Sequence, residues 1–324
     1  MALPTTCSDV MASDMPDVQN IKWLPFLVMI VAPAFFSTNL IFGRYVAPQT
    51  DPFVLAFIRW ACVALILLPF ALQSDAKAMR VIVRKHWLFF LLIGFLGMGI
   101  SGSGVYLGLQ YTTASNATLI YSITPILIVL LERAFVGRQS NMREAIGIVL
   151  ALLGVSIIVL NGNLATLLQL NFNPGDLLIA LAAISWAGYS ILYRSERVSS
   201  LSSLVLFAII ALFGAVVNLP IAAYSVFQGA GLPGTSSAWL AIVGIVFISS
   251  LIAFSTYQYG VRALGASTAG LFMYLMTPYG VVMAVLFLDE RLLAFHYFGI
   301  FLVMGGVITA TLPKSIWTKF FSQF

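Results

Sequence analysis

Apolar residues run in stretches of about twenty, separated by short polar breaks, from Trp23 almost to the end of the chain. A helix rises about 1.5 Å per residue, so roughly twenty residues cross the ~30 Å hydrocarbon layer of a bilayer. The pattern predicts ten spanning helices, over 24–44, 52–72, 87–108, 113–134, 142–160, 175–194, 202–224, 238–260, 266–288 and 293–312. Composition sharpens this reading. Hydrophobic residues make up 61% of the chain and charged residues 8%, against about a quarter charged in soluble domains. The expected class is an all-α membrane protein.

The cations fix an expected orientation, because Lys and Arg in short loops stay on the cytoplasmic side. The breaks after the second, fourth, sixth and eighth spans carry Lys77, Arg80, Arg84, Lys85, Arg133, Arg138, Arg143, Arg194, Arg197 and Arg262. The other breaks carry Arg44 and Arg291. With Lys22, Lys314 and Lys319 at the ends, both termini are expected in the cytoplasm. The net charge of +5 is thus a topology signal; no basic cluster with interleaved aromatics points to nucleic acid. Residues 1–23 carry Asp9, Asp14 and Asp17, lack the features of a secretory signal, and read as a disordered tail. Cys7 and Cys62 have neither disulfide nor metal-ligand spacing, so no metal or cofactor is expected.

The chain repeats itself. "ASNA" at Ala114–Ala117 returns as "ASTA" at Ala266–Ala269, and "YSITP" at Tyr121–Pro125 returns as "YLMTP" at Tyr274–Pro278. Gly147 and Gly154 answer Gly299 and Gly306; Phe36, Asn39 and Arg44 answer Trp186, Tyr189 and Arg194; "LLP" at Leu67–Pro69 answers "NLP" at Asn218–Pro220. Each half holds five helices, an odd number, so the second half is inverted relative to the first. The division expected is a tail at 1–23, a first repeat at 24–160, an outer linker at 161–174, a second repeat at 175–312 and a cytoplasmic tail at 313–324. Inverted repeats suit a carrier that works by alternating access with a site near the midplane.

The repeated proline sits about twelve residues into its helix, roughly 18 Å deep. Pro125 leaves the carbonyl of Tyr121 without its helical donor, and Pro278 does the same to Tyr274, in a medium that offers no water. Thr124 and Thr277, one residue earlier, can bond back to the preceding turn. These four residues are read as hinges, with simple packing kinks as the alternative.

"WAGYSILYR" (Trp186–Arg194), "ASNATLIYSITPILIVLLE", "GASTAGLFMYLMTPYGVVMAVLFLDE" and the repeated G-x6-G of the fifth and tenth spans resemble the EamA family of the drug/metabolite transporter superfamily, over about residues 24–312. The resemblance implies an inner-membrane exporter of small metabolites, often amino acids, with a cavity lined by helices 1, 3, 4, 6, 8 and 9. One departure stands out. The acid usual between helices 4 and 5 is replaced by "VGRQS" (Val136–Ser140), whereas Asp289-Glu290 stands in the second half.

Those helix assignments, with aromatic and amide placement, give the substrate-site candidates Phe36, Asn39, Tyr106, Tyr121, Trp186, Tyr189, Tyr257, Tyr259 and Tyr274. Asn39 must hydrogen-bond either to a ligand or to a neighbouring helix. Arg59 is read as structural, snorkelling to the outer interface, in preference to binding a substrate carboxylate. The six glycines from Gly94 to Gly108 are read as a close-packing surface. Acids fall near span ends, which favours gradient-driven export over obligatory proton coupling. Enzymatic chemistry is not expected, because no nucleophile, base or metal-ligand motif falls at depth. The best reading is export of apolar or aromatic amino acids or related compounds, with a lipid flippase or a passive channel as alternatives. A small-molecule substrate and the bilayer are the expected partners, and both a monomer and a homodimer fit the sequence.

Overall fold

A computed structural model describes residues 23–46, 49–163, 173–288 and 291–312. The expected tails beyond Trp23 and Leu312, most of the linker at 161–174, and Asp289-Glu290 lie outside the described residues. Among the described residues ten helices are long and apolar enough to cross a membrane: α1 (Trp23–Val46), α2 (Pro52–Ser74), α3 (Ala76–Gly108), α4 (Ala114–Val136), α5 (Met142–Val159), α6 (Pro174–Leu192), α7 (Ser203–Phe227), α8 (Ser236–Leu264), α9 (Ala266–Phe287) and α10 (Ala294–Thr311). The loops that carry most of the arginines share one face of the bundle, the basic face.

The position of the acids has a local cause. Asp51 accepts the Phe53 and Val54 N–H groups at the start of α2, Asn173 and Asp176 form a capping box at α6, and Glu144 lies in the first turn of α5 behind the Asn141 cap. Helix N-termini leave unpaired N–H groups, and side-chain oxygens are the groups that satisfy them.

One expected break is absent. The chain from Pro52 to Gly94 is helical throughout, so the polar stretch expected as a loop over residues 73–86 is helix and α3 begins at Ala76. No glycine or proline falls between Phe70 and Ile93, so nothing there breaks a helix. A straight run of that length would exceed 60 Å, by about 1.5 Å per residue. Yet a Cβ on Gly102 would stand 3.5 Å from Trp60 Nε1, so the run doubles back on itself.

The repeat is visible in paired contacts. Gly108 is pressed against Ile179, and Gly260, the equivalent of Gly108, against Met29, the equivalent of Ile179. α3 carries a π-helical segment at Phe95–Gly104, and α8 carries one at Ile245–Ile252. The π turn in α8 has no glycine, so the glycines of α3 are not what makes the feature recur. α5 and α10, the last helix of each half, pack through their repeated glycines. A Cβ on Gly147 would fall 2.4 Å from the Gly306 carbonyl, and one on Gly154 would fall 2.6 Å from that of Gly299.

Those distances predict the effect of adding a methyl group. Gly306→Ala places a carbon against α5 backbone and is expected to cost about 1–3 kcal/mol, as over-packing does. Gly305→Ala meets no atom within 4 Å and should be neutral. Thermal unfolding of the two variants in detergent checks the difference; equal melting temperatures would remove the close α5–α10 contact.

Candidate functional site

Between the halves lies a set of aromatic rings. Phe36 of α1 and Trp186 of α6, equivalent positions of the two repeats, meet edge to face with centroids 5.9 Å apart. Tyr257 lies 5.3 Å from Trp186, and Tyr189 the same distance on another side. Phe254 joins them, at 5.2 Å from Phe36, 5.5 Å from Trp186 and 4.9 Å from Trp60. Edge and tilted geometries set the positive rim of one ring against the negative face of another.

Polar side chains bond around this box. Asn39 Nδ2 donates to the Tyr106 hydroxyl at 2.9 Å, and the Tyr257 hydroxyl shares a 2.8 Å bond with Ser190 Oγ. Each pair spans 67 residues and joins the first helix of a half to the third. Gln258 ties Tyr189 to Tyr193, donating to the first at 2.7 Å and accepting from the second. Asn39 therefore has a neighbouring-helix partner, and that partner is itself a site candidate. Tyr121 lies beside Ser101 and Tyr257.

Two candidates stand apart. Tyr259 is 37% exposed on the outer surface of α8, because two residues turn a helix by about 200° and Tyr257 already faces inward; it is withdrawn from the site. Tyr274 is buried in a 3-10 turn, its hydroxyl has no hydrogen-bond partner, and it joins none of these ring contacts among the described residues.

Arg59 is placed differently from expectation. It is 6% exposed, and instead of reaching the outer interface its Nε donates to Ser250 Oγ at 2.6 Å and its Nη2 to the Ser249 carbonyl at 2.9 Å. The guanidinium stands 4.8 Å over Trp60 and 5.6 Å from the Phe254 ring centre. α8 is π-helical at Ser249, where shifted bonding asks for an outside donor. In the π segment of α3 the Met98 carbonyl accepts from Asn218 at 3.2 Å.

The repeated prolines interrupt both helices by different means. α4 breaks at Ser122-Ile123, and the Thr124 hydroxyl donates to the Tyr121 carbonyl that Pro125 leaves free. α9 tightens into the 3-10 turn at Met273–Leu275, and Thr277 makes no such bond among the described residues. The Ser37 hydroxyl of α1 lies 2.8 Å from its own Pro33 carbonyl and 3.0 Å from that of Met276 in α9.

The sequence profile of the EamA-like transporter family matches residues 23–160 and 173–312, one match for each half of this helix pattern. The chain belongs to that family. It is 24% identical to the uncharacterised transporter YyaM of Bacillus subtilis over 90% of this chain and 94% of that one. It is 27% identical to a biotin transporter of Salmonella typhimurium over 76% and 79%. A solved crystal structure superposes with a TM-score of 0.75 at 20% identity, over 90% of this chain and 97% of the other, a likeness of fold alone. The protein is a multi-pass membrane transporter of small solutes.

In this EamA transporter the basic face is closed by a charge network absent from the sequence reading. Glu132 of α4, 2% exposed, accepts from the backbone N–H and hydroxyl of Ser267 in α9 and from Arg194 of α6 at 3.1 Å. Arg138, from the "VGRQS" stretch, lies 3.7 Å from Glu132 and bonds Glu144 of α5 at 2.8 Å. Gly265 turns the chain into α9 at φ 94°, a conformation reserved for glycine, and a Cβ there would stand 3.3 Å from Arg194. On the opposite face the equivalent strip is open: Ala114 and Ser115 are exposed, whereas Ala266 and Ser267 are fully buried. Glu132 is a different position from the "VGRQS" stretch in which the family pattern places its acid, since it answers Val285 and not Asp289-Glu290. Its signal in the sequence was a Glu set in the apolar run "VLLERAF".

The closure predicts unequal access to equivalent sites. With both native cysteines replaced by serine, Ala114→Cys should react readily with an impermeant maleimide applied to its face, and Ala266→Cys should resist reagent applied to the basic face. Adding Glu132→Ala should raise labelling at 266 on the order of tenfold, the factor that ~1.4 kcal/mol supplies. Equal labelling of the two sites in the parent protein would contradict the closure.

Proposed function

We propose that the chain exports small amphiphilic metabolites, apolar or aromatic amino acids foremost, from the cytoplasm across a cell inner membrane by alternating access. The basic face and both termini are cytoplasmic in this reading, as the arginine-rich loops suggest. One observation carries it: two copies of one sequence strip are packed on one face and open on the other, at opposite ends of a shared aromatic box. Inverted halves can exchange these roles, and exchange converts an outward-facing state into an inward-facing one. The closed basic face supports a carrier over a passive channel, and the box suits an apolar or aromatic side chain with few fixed polar groups. Phe36, Asn39, Tyr106, Tyr121, Trp186, Tyr189 and Tyr257 are its proposed substrate contacts. A covalent reaction has no support here; the working parts are rings, amides and hydroxyls. Biotin, named for the Salmonella relative, is a further candidate solute.

Counterflow in liposomes tests the proposal. Vesicles holding purified protein and preloaded with unlabelled phenylalanine, leucine, tryptophan or biotin should accumulate the labelled compound transiently, as a carrier does and a channel does not. Absence of counterflow for the whole panel would reject the substrate class.

The repeated prolines give a second test. Pro125→Ala restores the donor to the Tyr121 carbonyl and makes the Thr124 bond redundant, and Pro278→Ala removes the cause of the 3-10 turn. Proline in a helix interior costs about 3 kcal/mol, so removing it should leave folding nearly intact. If the bends are hinges, each variant slows counterflow and shifts maleimide labelling toward opposite faces. Wild-type rates with unchanged labelling in both would make the motif a packing feature.

A further inference from the structure

Arg59 is the most deeply buried Lys or Arg among the described residues, and its surroundings explain a hydrogen-bond donor but not a charge. Serving a carbonyl in a π segment needs no cation: neutral Asn218 does it at Met98, in the π segment of α3. The two bonds to Ser249 and Ser250 engage two of the five N–H groups of the guanidinium. Tyr106 faces it as well, but the Tyr106 hydroxyl is shared with Asn39.

No described acid is left to balance the charge. Glu132 and Glu144 are held by arginines on the basic face, Asp176 bonds Thr112 and the Asn173 N–H, Asp51 caps α2, and Glu196 is exposed in the 3-10 turn that follows α6. A second donor beside Arg59 is also unused: Trp60 Nε1 is buried without a partner, and the guanidinium lies over that same indole. Buried donors without acceptors are rare and ask for an explanation. The requirement here is for an anion. Phe254 connects it to the box, since its ring touches the guanidinium on one side and Phe36 and Trp186 on the other.

We propose that Arg59 is the anion anchor of the transport site, taking the carboxylate of a substrate whose apolar or aromatic tail lies against Phe254, Phe36 and Trp186. The assignment rests on the transporter reading above and narrows it. A single anchor one ring away from an aromatic box selects a monocarboxylate or a zwitterion with a short spacer, and excludes polyanions. Arg pairs with a carboxylate through charge-assisted bonds that an amide cannot form.

The experiment compares matched pairs on the full chain purified in detergent: 3-phenylpropionate with 3-phenylpropionamide, and phenylalanine with phenylalaninamide. Ligand-induced thermal stabilisation reports binding, and counterflow in liposomes reports transport. Each acid should bind about tenfold or more tightly than its amide. Arg59→Gln should abolish that preference, and Arg59→Lys should keep part of it. In the wild-type protein, 3-phenylpropionate but not its amide should protect Arg59 from phenylglyoxal, read by peptide mass; this readout holds even where Arg59→Gln does not fold. Equal binding of acid and amide, an undiminished preference in Arg59→Gln, or an Arg59 whose modification is unaffected by the acid overturns the anchor. Counterflow of both members of a pair at equal rates keeps the transporter and removes the anchor. An Arg59-dependent preference in binding without counterflow keeps the anchor and removes the proposed transport.

Discussion

Every backbone carbonyl released from its helical partner inside the bilayer must find another donor, because hydrocarbon supplies none. Much of the central architecture follows from that constraint. The π segments of α3 and α8 and the proline breaks of α4 and α9 disturb regular bonding at depth. Asn218, Arg59 and Thr124 each bring a donor to a carbonyl at one of these places. Two of those three bonds link different helices, so the irregular turns are also where helices are fastened together. Removing such a donor from a buried carbonyl costs about 1–3 kcal/mol, which makes these positions poor places for neutral drift.

The same irregular turns aim side chains at one another. A π turn adds a residue and rotates everything after it, which brings Phe254 and Tyr257 of α8 round to Phe36 and Trp186. Equivalent positions then meet at the pseudo-two-fold axis, as Phe36 and Trp186 do, and equivalent bonds flank it, as Asn39–Tyr106 and Tyr189–Gln258 do. Contacts on the axis can survive an exchange of conformation between the halves, since each partner replaces its equivalent. Contacts at the faces cannot. Glu132–Ser267 closes one face, and at the corresponding place near Ser115 the position of Glu132 is taken by Val285, which has no charge to offer.

Most of the fold was legible because hydropathy counts residues against bilayer thickness, and because duplicated motifs such as "ASNA" and "ASTA" keep their spacing. The missed features have physical reasons. The connection before α3 looked like a loop by polarity, but polarity at a membrane surface does not oppose a helix when no glycine or proline is present. The π turns leave no composition signal, as "IVFISSLI" in α8 demonstrates, so the rotation that turns Phe254 inward was invisible. Tyr259 was chosen with Tyr257 although helical geometry forbids residues two apart from sharing a face. Glu132 and Arg59 were judged by distance from a span end, a measure that sees depth and not whether the side chain faces lipid, water or another helix.

Charge placement separates the two tasks of the bundle. On the basic face Glu132 is matched by Arg194 and Arg138, whose side chains are 43% and 31% exposed and so stay partly hydrated while paired. Such a pair can be made and broken during a cycle because breaking it strands only one buried ion. Arg59 has the reverse character: it is enclosed, bonded to a backbone carbonyl, and without a described counter-ion. A fixed cation with no fixed partner cannot act as a latch, since it has nothing to release. It can only be completed by something that arrives from outside the protein, which is why the closing charges lie at the face and the unmatched one lies beside the rings.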